Sequence, residues 1–235
     1  MLNTVFSLIA KSIYKDVYML VYSIVIPLGL FIGLGVYHES EVYREGLLVG
    51  CILVSLVMGA LNTAGFWMMT QRKRGVYKLL KLSSFSVSKF ILCSMLARLL
   101  VFEAITGLLL LTAILLFGLK FSIVSILLLV GVTMVGMVCF NAIGFIIASR
   151  ASQEGTMNML STIFSMPMIF VSTAFYSLDG APTWVRYISK VNPVEHASII
   201  GRSAVMGEVA GQSFAVLTLL AIICSILAVK TFRYE

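Results

Sequence analysis

The sequence contains few charged residues. Aspartate, glutamate, lysine and arginine together make up 11% of the 235 residues, whereas hydrophobic residues make up 60%. Soluble domains carry roughly 25% charged residues, and a soluble domain of this length could not hide so many apolar side chains. The shortage of charge therefore excludes an ordinary soluble protein and indicates a chain that resides in a lipid bilayer.

Three motifs of enzymes and metal sites are also missing. None of the four cysteines (Cys51, Cys93, Cys139 and Cys224) has the C-x-x-C spacing of a redox or zinc site. No Gly-Lys pair occurs, so the chain lacks a phosphate-binding loop. His38-Glu39 does not extend to H-E-x-x-H, because residue 42 is valine. We therefore expect no catalytic, metal-binding or cofactor-binding site on this chain.

Six apolar runs have about the 20 residues that a helix needs to cross the hydrocarbon. They cover residues 17–37, 47–69, 91–118, 122–148, 157–177 and 209–229. The predicted fold class is therefore all-α: a polytopic membrane protein with six transmembrane helices in a single transmembrane domain, residues 1–235. Only Leu119 to Phe121 separate the third and fourth runs, which predicts a tight helical hairpin.

The distribution of basic residues predicts the orientation of the chain. With the N-terminus in the cytoplasm, eleven Lys and Arg residues fall inside and five outside, and Arg98 is left aside as membrane-embedded. The positive-inside bias then places both termini in the cytoplasm. The same clustering in loops explains the net charge of +7, so we expect no nucleic-acid partner.

The first sixteen residues have an amphipathic pattern. Apolar residues recur at helical spacing while the lysines fall elsewhere, which predicts a helix that lies in the cytoplasmic interface, residues 1–16. Its apolar face comprises Leu2, Val5, Phe6, Ile9 and Ile13. A frayed tail is the alternative.

The loop between the second and third spans, residues 70–90, carries six basic residues and no acidic residue. Val76, Leu79, Leu80 and Leu82 could form the apolar face of a short helix. A helix that is basic on one side and apolar on the other suits docking into a groove of a cytoplasmic partner. A charge anchor that touches only lipid headgroups explains the composition equally well.

The segment after the fifth span, residues 178–207, contains two helix starts. Pro182 precedes an apolar face formed by Trp184, Val185, Ile188 and Val191. Asn192 can cap a second helix with Pro193 at its first position, and Glu195 lies three residues after the cap, as in a capping box. We expect two short helices at the outer interface, dipping into the membrane.

These features, in this order, resemble the type-2 permeases of ATP-binding-cassette (ABC) transporters over essentially the whole chain. The family's first cytoplasmic loop has an Arg-x-x-Gly-x-x-x-x-Leu pattern, which Lys73-Arg74-Gly75 followed by Leu79-Leu80 resembles, and a serine-rich turn like Ser83-Ser84. Its last outer loop carries Pro-x-Trp and Asn-Pro, like Pro182-Thr-Trp184 and Asn192-Pro193. The acid expected beside the loop arginines is missing, since Gln71 and Lys73 stand there, so a salt bridge within the loop is not expected.

The resemblance implies a half-transporter in a bacterial plasma membrane. ATP and Mg would bind a separate ATPase subunit, present in two copies, and this chain would pair with a second copy or a related permease. The ATPase would dock on a coupling helix formed by Arg74, Gly75, Val76, Leu79 and Leu80, and its closure would drive alternating access. Pro182, Trp184, Asn192, Pro193 and Glu195 would belong to the re-entrant helical pair.

Two pairs within the spans are further candidates. Gly29 and Gly33 have the small-x-x-x-small spacing that lets helices approach closely, either across a dimer or within one subunit. Arg98 and Glu103 are ionisable residues of the third span and could form an intramembrane polar pair.

Other classes of protein fit the sequence less well. An ATP-independent channel or carrier would favour internal repeats or charged relays in mid-span, and a polytopic membrane enzyme would need a recognisable acid, base or nucleophile. Spans with few charges suggest outward movement of an amphipathic or lipophilic cargo, with a peptide favoured over a drug or a lipid.

Overall fold

The computed structural model describes residues 21–82, 86–151, 153–178 and 180–231. Helices account for all the regular secondary structure in these ranges. The predicted interfacial helix, residues 1–16, lies outside the described residues and stays a prediction.

Ten α-helices and two π-helical stretches follow one another in the described ranges. In chain order they are π1 (Val21–Val25), α1 (Ile26–Tyr37), α2 (Glu41–Leu56), π2 (Val57–Thr63), α3 (Ala64–Lys73), α4 (Val76–Leu82), α5 (Val87–Phe117), α6 (Ile123–Arg150), α7 (Glu154–Phe170), α8 (Thr183–Ser189), α9 (Pro193–Val205) and α10 (Gly211–Thr231).

Four of the described helices are long and apolar enough to cross a membrane. They are Glu41–Lys73 (α2, π2 and α3 as one continuous helix), Lys89–Phe117 within α5, Ile123–Arg150 and Gly211–Thr231. The first predicted span contains a shorter apolar helix, Ser23–Tyr37, and the fifth contains α7, of 17 residues. The all-α membrane fold is confirmed, and the count of six spans stays a prediction.

The fifth span ends earlier than the sequence predicts. The apolar run continues to residue 177, but α7 ends at Phe170, and Val171 leaves the helix with φ −94° and ψ 46°. Hydropathy does not detect this end, because the side chains that hold the non-helical backbone come from α9, more than twenty residues further along the chain.

The hairpin between α5 and α6 is confirmed. α5 ends at Phe117, and the amide of Leu119 donates to the carbonyl of Ala113. Ser122 then begins α6, because its hydroxyl accepts a hydrogen bond from the amide of Ser125 at 3.0 Å. Five residues therefore reverse the chain.

The continuous helix Glu41–Lys73 lies at the centre of the bundle. Of its most apolar stretch 78% is buried inside the protein, compared with 17% for α10. Apolar surface that a soluble protein would bury is thus left on the outside of α10, where lipid can cover it. This difference identifies α10 as a peripheral helix and the Glu41–Lys73 helix as the core.

Small residues bring α6 close to this central helix. A methyl group on Gly144 of α6 would overlap the carbonyl oxygen of Leu61 in π2, and one on Gly136 would lie 2.6 Å from Leu56 Cδ2. Glycine therefore permits the close backbone approach that apolar helices use when lipid competes for their surfaces.

We predict that Gly144→Ala destabilises the protein by about 1–3 kcal/mol, because the carbonyl of Leu61 cannot rotate out of the way as a side chain could. Gly107→Ala in α5 is the matched control, since no described atom lies within 4 Å of the added methyl. Thermal unfolding of the detergent-purified variants measures both effects. Equal unfolding temperatures would contradict the close packing of α6 on π2.

Candidate functional site

A left-handed glycine sets the direction of α4. Arg74 is the capping residue after α3, and Gly75 follows with φ 69°, a conformation that costs glycine little and other residues more. The carbonyl of Gly75 then accepts hydrogen bonds from the amides of Lys78 and Leu79 at 3.0 and 3.1 Å. The short helix predicted in loop 70–90 is present as α4, hereafter the loop helix.

The loop helix has one side on the protein and one side exposed. Tyr77 is 1% exposed, Val76 is half-buried and Leu80 packs half-buried against the core. Leu79 is 65% exposed and Leu82 is 87% exposed. The predicted docking residues are therefore divided: Leu79 is available to a partner, whereas much of Leu80 is used inside this chain. Docking itself stays a prediction.

Basic side chains surround the exposed leucines. Lys78 is exposed on the loop helix, and Arg74 is exposed in the turn before it. The ammonium group of Lys73 lies 3.6 Å from the carboxylate of Glu154. This exposed pair of groups contributes at most about 1 kcal/mol. The acid that the loop lacks is thus supplied by the start of α7, a contact that the loop sequence alone could not reveal.

An aromatic bridge, formed by Tyr77, Phe90 and Trp67, joins the loop helix to the membrane helices. The ring centroids of Tyr77 and Phe90 lie 6.4 Å apart in an edge-to-face arrangement, and those of Phe90 and Trp67 lie 5.4 Å apart in a stacked one. Contacts of this kind contribute about 0.5–1.5 kcal/mol beyond their buried area. Burial also raises the pKa of the Tyr77 hydroxyl, so this side chain stays neutral at physiological pH.

Arg98 continues the aromatic bridge into the interior. Its guanidinium lies 5.5 Å from the ring centroid of Trp67, and its Nη1 donates to the hydroxyl of Thr63 at 2.7 Å. Thr63 in turn donates to the carbonyl of Gly59. The bridge therefore runs from the loop helix to the end of π2, in the middle of the central helix.

The predicted pair between Arg98 and Glu103 is wrong. Glu103 accepts a hydrogen bond from the hydroxyl of Thr133 at 2.8 Å, and the one ion pair among the described residues is Lys73–Glu154. Five residues along an α-helix correspond to a rotation of about 140°, so the two side chains point toward different neighbours.

A second contact ties the same end of the bundle together. Arg72, at the end of α3, donates from Nη2 to the carbonyl of Ala151 at 2.6 Å. Ala151 follows the last residue of α6, whose carbonyl groups lack intrahelical partners. The loop helix therefore begins from a point where α3 and α6 are fastened to each other.

The two short helices predicted in 178–207 are present as α8 and α9, hereafter the paired helices. Pro182 is the capping residue of α8 and Pro193 opens α9. Trp184, Tyr187 and Ile188 of α8 are at least half exposed, whereas α9 is largely buried. α8 thus offers an apolar aromatic surface of the kind that lies at a membrane interface.

Asn192 connects α9 to the non-helical end of α7. Its Oδ1 accepts from the amide of Val194 at 3.0 Å, which confirms the predicted cap. Its Nδ2 donates to the carbonyls of Met168 and Val171 at 2.6 and 2.7 Å. One buried side chain therefore caps one helix and satisfies the freed carbonyls of another.

Glu195 does not form the predicted capping box. Its Oε2 accepts from the amide of Thr173 at 2.6 Å, and the amide of Asn192 donates to the carbonyl of Ser189 instead. Arg202, to which the sequence pattern assigns no role, donates from Nε to the carbonyl of Thr173 at 3.0 Å. Asn192, Glu195 and Arg202 together hold the backbone of residues 168–174, and we call them the polar clamp.

Gly29 and Gly33 lie on an exposed face of α1. No described atom lies within 4 Å of a methyl group added to either glycine, and Val25, Leu30 and Val36 beside them are exposed. Within the described part of the subunit the two glycines therefore pack against nothing, which leaves their face available to lipid or to another chain.

A match to a known protein family agrees with the arrangement of these helices. A sequence model of the ABC-2 type transporter matches residues 3–206, from the N-terminal segment to the end of the paired helices. The chain is a member of the ABC-2 type transporter family, and hence a membrane subunit of an ABC transporter. Members of this family generally work with a separate ATP-binding subunit. No curated protein matches the chain.

We predict that Asn192→Asp destabilises the protein by about 1–3 kcal/mol although aspartate is an equally good helix cap. Aspartate keeps the acceptor for Val194 but replaces the donor to Met168 and Val171 with a negative charge that repels their carbonyls. Asn158→Asp, at an exposed position of α7, is the control for the added charge. Unchanged thermal unfolding of Asn192→Asp would show that the cap alone matters.

Proposed function

We propose that this chain moves an amphipathic or lipophilic cargo outward across a bacterial plasma membrane, driven by a separate ATPase that docks on the loop helix. The proposal rests on the different surroundings of the two sides of that helix. Leu79 and Leu82 are exposed among basic residues, while Tyr77 fixes the opposite side to the membrane helices. An exposed surface on a fixed support can receive a force and pass it on.

The work of this chain is mechanical, and ATP and Mg would bind only the partner. The loop helix is short and rests on the aromatic bridge, so a displacement of Tyr77 must move Phe90 and Trp67 or break their contacts. Arg98 and Thr63 extend the connection to π2. π-helical turns inside α-helices occur often at functional positions, and we place the bend of the central helix there during transport.

A second copy of this chain, or a related permease, completes the pathway in this proposal. The exposed face of α1 supports it, because Gly29 and Gly33 leave room for close contact with another helix. The described residues of α1 include no charged side chain. A pathway walled by such uncharged helices suits an amphipathic or lipophilic cargo, and we favour a peptide over a drug or a lipid.

The docking proposal predicts different outcomes for neighbouring leucines. Leu79→Ala with Leu82→Ala removes exposed apolar contact, which should weaken ATPase binding by about one to two decades while leaving the fold intact. Leu80→Ala removes a side chain that packs on the core, so it should lower the unfolding temperature more than the affinity.

Pull-down of the ATPase and transport-coupled hydrolysis in liposomes measure the first effect, and thermal unfolding measures the second. Lys73→Gln is the control for charge, and its effect should appear mainly in the salt dependence of binding. Normal ATPase binding by the Leu79–Leu82 double variant would contradict docking and would indicate that the loop helix only anchors the chain to lipid headgroups through its charge.

The proposed orientation places the loop helix in the cytoplasm and the paired helices outside. A single cysteine at Lys190, exposed just before α9, should react with an impermeant thiol reagent on intact cells. A cysteine at Leu82 should react only after the membrane is opened. Replacing the four native cysteines by alanine or serine removes the background, and the reverse labelling pattern would overturn the orientation.

A further inference from the structure

One ionisable side chain, Glu103, lies in the middle of a membrane helix. It is the central residue of the 29-residue helix Lys89–Phe117, so about 20 Å of helix separates it from either end. Its side chain is half-buried, Leu100 one turn before it is exposed, and no described atom lies within 4 Å of a methyl group added to Gly107 one turn after it. Glu103 therefore lies at the edge of the bundle, within reach of lipid, where an ionisable group is rare and marks a functional position by default.

The neighbouring helices bring no charge to this depth. Charged residues are absent from the parts of π1, α1, the central helix, α6 and α10 that pack in the bundle, which are residues 21–37, 46–71, 123–149 and 211–229. The titratable groups in these ranges are the thiols of Cys51, Cys139 and Cys224 and the hydroxyls of Tyr22 and Tyr37, which are ordinarily neutral at physiological pH. The basic loop helix packs at the start of α5, about 20 Å away along the axis.

Arg98 is the nearest charged residue on α5 itself. Its guanidinium donates to Thr63 and lies over Trp67, on the side of α5 that faces the central helix. Glu103 instead contacts Thr133 of α6, which is consistent with the rotation of about 140° that five helical residues produce. The hydrogen bonding of Glu103 therefore depends on a neutral hydroxyl.

That hydroxyl has more neighbouring acceptors than hydrogens. Oγ1 of Thr133 lies 2.8 Å from Oε1 of Glu103, and the carbonyl oxygens of Val130 and Leu129 lie 2.9 and 3.1 Å from the same Oγ1. A hydroxyl has one hydrogen and can also accept, and 2.8 Å between two oxygens fits donation in either direction. Threonine can therefore donate to a carboxylate, or accept from a protonated carboxyl group and donate its own hydrogen to a carbonyl.

The second carboxyl oxygen favours the protonated form. Oε2 of Glu103 is covered, and no described group donates to it. A carboxylate carries its charge on both oxygens and would leave half of that charge buried without a donor. In the protonated form Oε2 is a neutral carbonyl oxygen, which costs less to bury, and the hydrogen on Oε1 has Thr133 as its acceptor.

Glu195 provides a contrast within the same chain. Its Oε2 accepts from the amide of Thr173, and an amide N–H can only donate. Arg202 places its guanidinium on the carbonyl of the same threonine. A donor and a nearby positive charge both favour a carboxylate, so these two glutamates should differ in whether they hold a proton.

We propose that Glu103 is an intramembrane proton-binding site that is occupied at neutral pH, and that the bound proton makes it a site of covalent modification by lipophilic carbodiimides. The proton lies between Oε1 and Oγ1 of Thr133, and the threonine hydrogen points to the carbonyl of Val130. A neutral acid can remain at the edge of the lipid, where the lack of water would destabilise a carboxylate. The site does not depend on the ATPase and can be tested on the permease alone.

A carbodiimide detects the proton because the reaction consumes it. The carboxyl group transfers its hydrogen to one carbodiimide nitrogen while its oxygen bonds to the central carbon, which gives an O-acylisourea. The acyl group then migrates to nitrogen and forms a stable N-acylurea. All atoms of both reactants are retained, so the modified peptide gains the whole mass of the reagent. Where water is present the first product hydrolyses instead, and the stable adduct accumulates at dry positions.

The first test treats the purified permease in detergent with dicyclohexylcarbodiimide at neutral pH and locates adducts by peptide mass spectrometry. A freely exposed glutamate holds its proton in only about one molecule in 500 at neutral pH, so Glu103 should be labelled at least about tenfold more than the exposed Glu41 and Glu154. Glu195 should stay unlabelled although it is buried. Glu103→Gln should lose the adduct.

The second test measures the proton without a reagent. A protonated carboxyl group has an infrared carbonyl band that a carboxylate lacks. The wild-type chain at neutral pH should show this band, Glu103→Gln should remove it, and the matched control Glu154→Gln should retain it. Thr133→Val should shift the band, because the acid loses the acceptor of its hydrogen, whereas a threonine that serves only packing would leave the band in place.

The wild-type measurements need no variant, so the proposal can fail even where a variant does not fold. Absence of the carboxyl band from the wild-type spectrum would overturn it, as would a band that survives in a monodisperse Glu103→Gln variant. Absence of the adduct at Glu103 would overturn the modification. Labelling of Glu195 as strong as that of Glu103 would also overturn it, because burial and not a bound proton would then select the site.

Discussion

Hydrocarbon cannot hydrogen-bond to a peptide group, so each backbone amide and carbonyl within the membrane needs a partner from the protein. Most of this chain meets that constraint with helices, but residues 171–174 do not. Their partners are side chains of α9 and of its capping residue. Asn192 donates to the carbonyl of Val171, and also to that of Met168 in the last turn of α7, while Glu195 accepts from the amide of Thr173 and Arg202 donates to the carbonyl of Thr173. The buried carboxylate of Glu195 and the half-buried guanidinium of Arg202 are thereby bonded as well. The position of α9, and with it the end of α7, follows from this exchange.

At the opposite end of the bundle, a short helix depends on tertiary contacts for a different reason. A helix of seven residues gains too few backbone hydrogen bonds to be stable alone, so the loop helix needs the support of the membrane helices. Gly75 sets its direction, and Tyr77 inserts its ring beside Phe90. The same contacts that stabilise the loop helix therefore also connect it mechanically to Trp67, Arg98 and π2. In the proposed function, stability and force transmission would therefore use one set of residues.

The sequence predicted the features that depend on local order along the chain. Helix periodicity located the loop helix, and the Asn192-Pro193 start located α9, because caps and apolar faces are encoded within a few residues. Glu195 and the pair of Arg98 with Glu103 were misassigned for the opposite reason. Their partners, Thr173, Thr63 and Thr133, are 22 to 35 residues away from them in sequence. The exposure of Leu79 and the partial burial of Leu80 likewise depend on how the loop helix is rotated against α5, which composition does not specify.

The central helix contacts the loop helix at one end of the bundle and α9 at the other. Near its start, methyl groups added to Gly50 and to Gly201 of α9 would lie 2.6 Å from Phe175 and from Val49 respectively, so α9 and the segment that follows α7 pack tightly on α2. Near its end, Trp67 of α3 receives the aromatic bridge from the loop helix.

The whole helix of 33 residues extends about 50 Å. If it were a rigid rod, any displacement of the loop helix would shift the paired helices by a comparable amount and strain the polar clamp. π2, with its hydrogen bond from Thr63 to Gly59 and its contact to Arg98, lies between the two ends. A change of helical winding there would let the half that carries Trp67 move while the half that carries Val49 and Gly50 stays seated on α9.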